Sequence, residues 1–189
     1  MKIPLEMSRS SPTLITRISE KLGPPLEELI QIDTYFQNPI RDFGLSDEAL
    51  RVRQVQFKTG KKKVELTYKG PKQGITMKIR EEITVEASNN DKVKKILENL
   101  GFEEVAKIKK KRINWQREGV TLSLDEVEDL GSFLEIEITT PQGQPEEISR
   151  NKKDILDFAH EIVPNWSGQE ERKSYLELKL QKLLNKQGI

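Results

Sequence analysis

The chain has 189 residues, of which 34% are hydrophobic and 33% charged, and its 32 lysines and arginines nearly balance 31 aspartates and glutamates. A net charge of +1 argues against a broadly basic nucleic-acid surface, and the absence of cysteine excludes disulfides, thiolate metal ligands and cysteine nucleophiles. No apolar run is long enough to span a membrane and no signal-peptide core is present, so we expect a cytoplasmic protein without nucleic-acid or membrane partners.

The first predicted elements are an edge strand, a helix and a longer strand. Pro4 interrupts residues 1–7, and proline cannot donate to a strand ladder, so this run is an edge strand at most. A helix begins at Pro12 and ends at Gly23, with apolar residues at helical spacing between them. Residues 29–36 predict the next strand.

Alternating strands are predicted between residues 48 and 86. In residues 48–55, Leu50 and Val52 alternate with Arg51 and Arg53, which places the arginines together on one face. The runs 64–69 and 75–86 alternate in the same way. The polar faces of these strands collect basic side chains, namely Arg51, Arg53, Lys69, Lys78 and Arg80.

A helix and a basic strand follow. Asn89 offers a helix cap and Gly101 a helix end. Residues 105–115 predict a strand that carries Lys110 and Arg112. Charge runs of this kind are usually exposed, so the pattern alone gives these two residues no special role.

Residues 122–138 predict a hairpin with an acidic face. Alternation places Asp125, Glu135 and Glu137 on the same side. Carboxylates that lie close together on one face repel one another unless a cation or basic groups share the site. The simpler interpretation is the solvated face of an ordinary antiparallel sheet.

The order of the elements predicts an α+β fold. Two further helices are predicted within residues 145–185, and the many antiparallel strands favour a closed sheet whose apolar side is covered by helices. The charged faces would then line the interior, which is costly unless the charges neutralise one another or hold a charged ligand. A polyanion with a bound divalent cation would satisfy both the basic and the acidic set.

At this point the residues resemble the CYTH superfamily of triphosphate tunnel metalloenzymes, and most of all its class IV adenylyl cyclase branch. The matching segments occur in family order: Asp33-Thr34-Tyr35-Phe36, Asp47-Glu48-Ala49-Leu50-Arg51-Val52-Arg53, Leu66-Thr67-Tyr68-Lys69-Gly70-Pro71-Lys72, Lys78-Ile79-Arg80-Glu81-Glu82, Lys110-Lys111-Arg112, the hairpin from Leu124 to Glu137, and Ser174-Tyr175-Leu176-Glu177-Leu178.

The resemblance implies a closed, antiparallel, eight-stranded β-tunnel with helices outside, a single CYTH domain over residues 1–189, and Mg²⁺ or Mn²⁺ as cofactor. The metal ligands would be Glu135 and Glu137, with Asp125 nearby. Glu82 and Asp125 are the candidates for a catalytic role. Together with Lys78 from the polar-face pattern, the triphosphate-binding set is Arg51, Arg53, Lys69, Lys78, Arg80, Lys110 and Arg112.

The first strand departs from the family. CYTH proteins begin with Glu-x-Glu-x-Lys, which supplies metal carboxylates and a lysine, whereas this chain has Lys2-Ile3-Pro4-Leu5-Glu6. The charges are nearly swapped. With a small register shift, Glu6 would serve as one metal carboxylate.

Three functions remain open for a ligand that is a nucleoside triphosphate or an inorganic polyphosphate. In an adenylyl cyclase the 3′-hydroxyl of ATP attacks the α-phosphorus, and cyclic AMP and pyrophosphate form. In a triphosphatase water attacks the terminal phosphorus of tripolyphosphate, a nucleoside triphosphate or thiamine triphosphate. The third function is binding without useful catalysis, which the altered first strand supports. The leucines of the last helix leave a homodimer contact open.

Overall fold

The computed structural model describes residues 1–5, 12–71, 80–117, 119–138 and 156–187. In these residues, none of the helices is long and apolar enough to cross a membrane. The strands are β1 (Lys2–Leu5), β2 (Glu27–Gln37), β3 (Ala49–Phe57), β4 (Lys62–Lys69), β5 (Glu82–Ala87), β6 (Glu103–Arg117), β7 (Val120–Val127) and β8 (Gly131–Ile138). The helices are α1 (Pro12–Leu22), α2 (Asn90–Asn99), α3 (156–162) and α4 (Tyr175–Gln187).

All eight strands belong to one sheet, in the order β1-β8-β7-β6-β2-β3-β4-β5. The pairs β1–β8, β3–β4, β4–β5, β6–β7 and β7–β8 are antiparallel. The predicted α+β class with eight antiparallel strands is therefore confirmed, and closure of the sheet into a tunnel stays a prediction. The strand that contains Pro4 lies at one end of the order, as a proline in a strand requires.

The chain divides into two compact units. The first unit consists of Met1–Leu29 and Lys110–Ser174, and the second of Ile30–Lys109 and Tyr175–Ile189. The single domain over residues 1–189 therefore stays a prediction. Within the predicted 145–185 helices, residues 145–155 lie outside the described part.

The last helix, α4, exposes much of its leucine surface. Leu180, Leu183 and Leu184 are 36%, 39% and 51% exposed. Neither their predicted covering role nor a homodimer contact is tested by this arrangement, and both stay predictions.

The core of the first unit lies on the apolar face of β1, β6, β7 and β8, against α1 and α3. Trp115 is completely buried there, and its indole Nε1 donates to the Ser19 Oγ at 3.2 Å. The alternation predicted for the acidic hairpin is confirmed, because the core includes Leu122, Leu124, Leu134 and Ile136. The other face of the same strands is left for polar side chains.

The second unit has a core of its own, on one face of β3 and β4. Leu50 and Val52 are buried there beside Phe36, Phe43 and Leu97. The side-chain oxygen of Asn89 caps α2 by accepting from the Lys92 amide at 2.9 Å, as predicted. Since Leu50 and Val52 face the core, the alternating arginines of β3 lie on the opposite face.

The β7–β8 turn sets the register of the acidic hairpin. Asp129 and Gly131 have φ angles of 66° and 102°, a left-handed conformation that suits Gly and is tolerated by Asp. This turn places Ser123 opposite Glu135, and Thr121 opposite Glu137. Both glutamates consequently lie on the polar face of β8.

Candidate functional site

An ion-pair cluster lies on the polar face of the first unit. We call it the Asp125 cluster; its members are Lys2, Lys110, Arg112, Asp125 and Glu135. Arg112 lies directly opposite Asp125 across β6 and β7. Its Nε donates to Oδ1 at 2.6 Å and its Nη2 to Oδ2 at 2.5 Å, while the Lys110 Nζ donates to Oδ2 at 3.2 Å. Asp125 has no exposed surface, and both of its carboxylate oxygens accept from cations of the chain.

Glu135 is also paired within this cluster. The Arg112 Nη2 donates to its Oε2 at 2.5 Å, and the Lys2 Nζ lies 4.0 Å from its Oε1. Lys2 is opposite Glu135 in the β1–β8 register. Glu137 lies on the same strand face but is exposed.

A second cluster lies on the polar face of the second unit. We call it the Arg51 cluster; its members are Asp33, Arg51, Arg53, Thr67 and Lys69. The Arg53 Nε and Nη2 donate to the two carboxylate oxygens of Asp33 at 2.6 and 2.7 Å. The Arg51 Nη1 lies 3.9 Å from Asp33 Oδ2, and its Nη2 donates to the Thr67 Oγ1 at 3.4 Å.

Arg51 keeps an unused donor in this cluster. Its side chain is 10% exposed, and its Nε is buried without a hydrogen-bond partner in the described part of the chain. A buried donor left unsatisfied costs about 1–3 kcal/mol, so its retention needs an explanation. An anionic oxygen bound beside Arg51 would satisfy it.

Lys69 and Glu82 form the neighbouring pair. The Lys69 Nζ donates to Glu82 Oε1 at 2.6 Å, because β4 and β5 place the two residues opposite each other. Burial lowers the pKa of the Lys69 ammonium below its usual 10.5, and the hydrogen bond to Glu82 opposes this effect. Glu82 remains 45% exposed.

Seven of the predicted site residues are found in two clusters, one in each unit. Arg51, Arg53 and Lys69 are in the Arg51 cluster, and Lys110, Arg112, Asp125 and Glu135 are in the Asp125 cluster. Arg80 is elsewhere in the second unit, where its Nη2 lies 3.6 Å from Asp47 Oδ2. Glu6 and Lys78 lie outside the described residues, so their predicted roles stay predictions.

Sequence reasoning assigned no role to Asp33 or Lys2. In the sequence, Asp33 is only part of a matching segment. The spacing of two residues on β2 nevertheless places it on the same face as Gln31 and Tyr35. For Lys2, the sequence indicates only that a lysine stands where the family pattern has a glutamate. Its partner Glu135 becomes visible only with the strand register.

The carboxylates of the Asp125 cluster do not fit a resident divalent cation as they are arranged. Mg²⁺ and Mn²⁺ require free carboxylate oxygens as direct ligands. Here Asp125 is held by Arg112 and Lys110, and Glu135 is shared by Arg112 and Lys2. Across the described ranges, no group of three or more histidines, aspartates or glutamates is arranged to hold a metal.

Comparison with known proteins gives a consistent result. The CYTH domain family model matches residues 1–174, which include parts of both units. A Methanocaldococcus jannaschii protein named "Putative adenylate cyclase" is 40% identical over 158 residues, which are 82% of this chain and 83% of that protein.

Solved structures extend the similarity to the fold. A protein from Pyrococcus horikoshii is 38% identical and superposes with a TM-score of 0.78, covering 96% of this chain and 97% of its own. A Hippeastrum protein, described as having a dominant triphosphatase activity, is 18% identical with a TM-score of 0.61 and covers 96% of this chain and 94% of its own. At that identity the likeness is one of fold alone.

Proposed function

Since the chain belongs to the CYTH domain family, a superfamily of metal-dependent triphosphate enzymes, we propose that it binds the triphosphate of ATP or of inorganic tripolyphosphate. We propose further that ATP is converted to cyclic AMP and pyrophosphate. The adenylate cyclase name of the relative at 40% identity supports this choice of reaction. The cofactor, Mg²⁺ or Mn²⁺, stays a prediction, because the carboxylates of the Asp125 cluster do not fit a divalent cation as they are arranged.

The observation that carries the proposal is the unsatisfied Nε of Arg51. Guanidinium groups bind phosphate oxygens through charge-assisted, often bidentate hydrogen bonds. Asp33 occupies one side of the cluster and already holds Arg53 twice, so the Arg51 Nε is a donor without an internal acceptor in the described part. A phosphate oxygen would supply that acceptor.

In the proposed reaction the chain positions ATP and stabilises developing charge. Arg51, Arg53 and Lys69 would hold the phosphates while the 3′-hydroxyl attacks in line and pyrophosphate leaves. A group must accept the hydroxyl proton. Of the two predicted catalytic carboxylates, Glu82 is 45% exposed and Asp125 is completely buried between cations. Glu82 is therefore the better candidate.

Binding without turnover is the second candidate function. It is favoured by the pairing of Glu135, whose Oε2 accepts from Arg112 and whose Oε1 lies 4.0 Å from the Lys2 Nζ. A protein of this kind would retain the triphosphate without converting it.

The binding proposal is tested by Arg51→Gln. We expect the affinity for tripolyphosphate, measured by calorimetry, to fall at least about tenfold, since a hydrogen bond to a charged group contributes about 1.5–3 kcal/mol. Arg41→Gln is the matched control: Arg41 is 58% exposed, lies in the same unit and pairs with Glu48 instead. Equal affinities for the Arg51→Gln variant and the unaltered protein, both folded, would disprove the role of Arg51.

Product analysis by ion-exchange chromatography separates the reactions. The protein is incubated with ATP or tripolyphosphate in Mg²⁺ or Mn²⁺. Cyclic AMP with pyrophosphate establishes the cyclase, and orthophosphate without cyclic AMP establishes a triphosphatase. Calorimetric binding without either product establishes the second candidate.

The lowered pKa of Lys69 predicts the pH dependence of binding. The protonated amine attracts phosphate, so affinity is lost as pH rises through its pKa; because burial lowers this pKa, the loss begins at a lower pH than for an ordinary lysine. Lys69→Arg keeps its charge throughout and should retain affinity between about pH 7 and 10. Dissociation constants across this range check it, with exposed Lys62→Arg as the control. Identical pH profiles for the Lys69→Arg variant and the unaltered protein would contradict the prediction.

A further inference from the structure

A glutamine side chain is buried on β2 of the second unit. Gln31 is 7% exposed, and its Oε1 is buried without a hydrogen-bond partner in the described part of the chain. Buried side-chain acceptors are nearly always paired, because an acceptor withdrawn from water without a partner costs free energy. A methionine would occupy the same position on the strand without that cost, so the presence of a glutamine requires an explanation.

Gln31 lies on the same strand face as the residues that surround Arg51. Side chains two residues apart on a strand share a face, so Gln31, Asp33 and Tyr35 form one row on β2. The Arg51 Nη1 is 3.9 Å from Asp33 Oδ2. Burial raises the pKa of the Tyr35 phenol, and the neighbouring Arg51 guanidinium opposes this effect. Gln31 is therefore about 7 Å along the strand from the carboxylate that Arg51 faces.

Two unsatisfied atoms of opposite kinds occur in this unit. Among the described residues, the buried side-chain polar atoms without a hydrogen-bond partner are the Arg51 Nε, a donor, and the Gln31 Oε1, an acceptor. An anionic phosphate oxygen accepts hydrogen bonds, so it would satisfy only the first. The second requires a hydroxyl or an amino group. A ligand that satisfies both atoms must carry a phosphate and a hydrogen-bond donor, and a nucleotide has donors in its ribose hydroxyls and in the amino group of its base.

We propose that the Gln31 Oε1 accepts a hydrogen bond from a hydroxyl or amino group of a bound nucleotide, and that Gln31 thereby favours a nucleoside triphosphate over tripolyphosphate. The inference rests on the proposed function and adds the residue that recognises the nucleoside part of the ligand. A single nucleotide is long enough to contact both Arg51 and Gln31. In this arrangement Arg51 binds the phosphates, and Gln31 determines which triphosphate is preferred.

The first test is Gln31→Met, which removes the acceptor and keeps an unbranched side chain of similar length. We expect the affinity for ATP, measured by calorimetry in EDTA and again in excess Mg²⁺, to fall about tenfold, as for the loss of one hydrogen bond. The affinity for tripolyphosphate should stay the same, because this ligand has no nucleoside part. Gln56→Met is the matched control and should change neither affinity, since Gln56 is exposed on β3 of the same unit.

The two ligands separate failure of the inference from failure of the proposed function. Equal losses of affinity for ATP and tripolyphosphate in Gln31→Met, or no loss for either, would overturn the role of Gln31 and leave the proposed triphosphate binding intact. No binding of either ligand to the unaltered protein, with or without Mg²⁺, would instead overturn the proposed function.

The second test changes the ligand, so it can be read on the unaltered protein even if the variant misfolds. ATP is compared with 2′-deoxy-ATP, 3′-deoxy-ATP and purine riboside triphosphate, each of which lacks one of the candidate donors. We expect one of these analogues to bind about tenfold more weakly than ATP, which identifies the donor, and the difference to disappear in a folded Gln31→Met variant. Full affinity for all three analogues, or a difference that persists unchanged in Gln31→Met, would overturn the inference.

Discussion

Asp125→Asn is expected to lower the free energy of unfolding by about 3–5 kcal/mol, which is the usual effect of removing one partner from a buried ion pair. Asp125 has no exposed surface and faces both Arg112 and Lys110. The amide has nearly the same shape, so packing is preserved, but the buried Lys110 and the largely buried Arg112 lose the negative charge that both of them face. Urea unfolding followed by tryptophan fluorescence measures the change.

The neighbouring pair on the same two strands is the control. Lys111 and Glu126 are directly opposite each other at 3.5 Å, one position along from Arg112 and Asp125, but their side chains are 70% and 61% exposed. Glu126→Gln should therefore change stability by less than about 1 kcal/mol. Similar losses in the two variants would mean that burial does not determine the strength of the Asp125 pairing.

Asp33→Asn is expected to destabilise the protein by about 3–5 kcal/mol in the absence of ligand and to increase its stabilisation by tripolyphosphate. Asp33 is 3% exposed and is the carboxylate that holds Arg53 and approaches Arg51. Without it, the buried Arg51 and the largely buried Arg53 lose the negative charge that both of them face, and a bound anion regains more of the lost free energy than in the unaltered protein.

Thermal unfolding with and without tripolyphosphate measures both effects. Glu86→Gln serves as the matched control, since Glu86 pairs with Lys63 at 2.6 Å in the same unit but is 71% exposed. Its midpoint and its ligand-induced shift should stay close to those of the unaltered protein. A smaller ligand-induced shift of the unfolding midpoint in Asp33→Asn than in the unaltered protein would contradict the expectation that the anion compensates for the lost carboxylate.

The faces of the strands were predictable from sequence because a buried sheet face imposes a period of two. Leu50 and Val52 on one side assign Arg51 and Arg53 to the other, and the same reasoning places Asp125 and Glu135. The elements carrying these residues therefore agree with the predicted strands, with boundaries that differ by a few residues.

The partners of these residues were not predictable, because alternation says nothing about which strands are neighbours. Arg53 meets Asp33, which lies 20 residues away, only through packing of the polar face of the second unit. Lys2 meets Glu135 only through the β1–β8 register. The two units were invisible for a similar reason, since each is assembled from two separated segments of the chain.

The interleaving of the two units sets an order for folding during synthesis. The second unit takes most of its residues from the single stretch 30–109, including the contacting strands β3, β4 and β5. The first unit needs β1 and β8, whose bonded ends are 135 residues apart in sequence. Contacts of such separation form slowly, and domains fold as their residues leave the ribosome. The Arg51 cluster is therefore expected to form first, whereas the contact between Lys2 and Glu135 forms only after β8 has been synthesised.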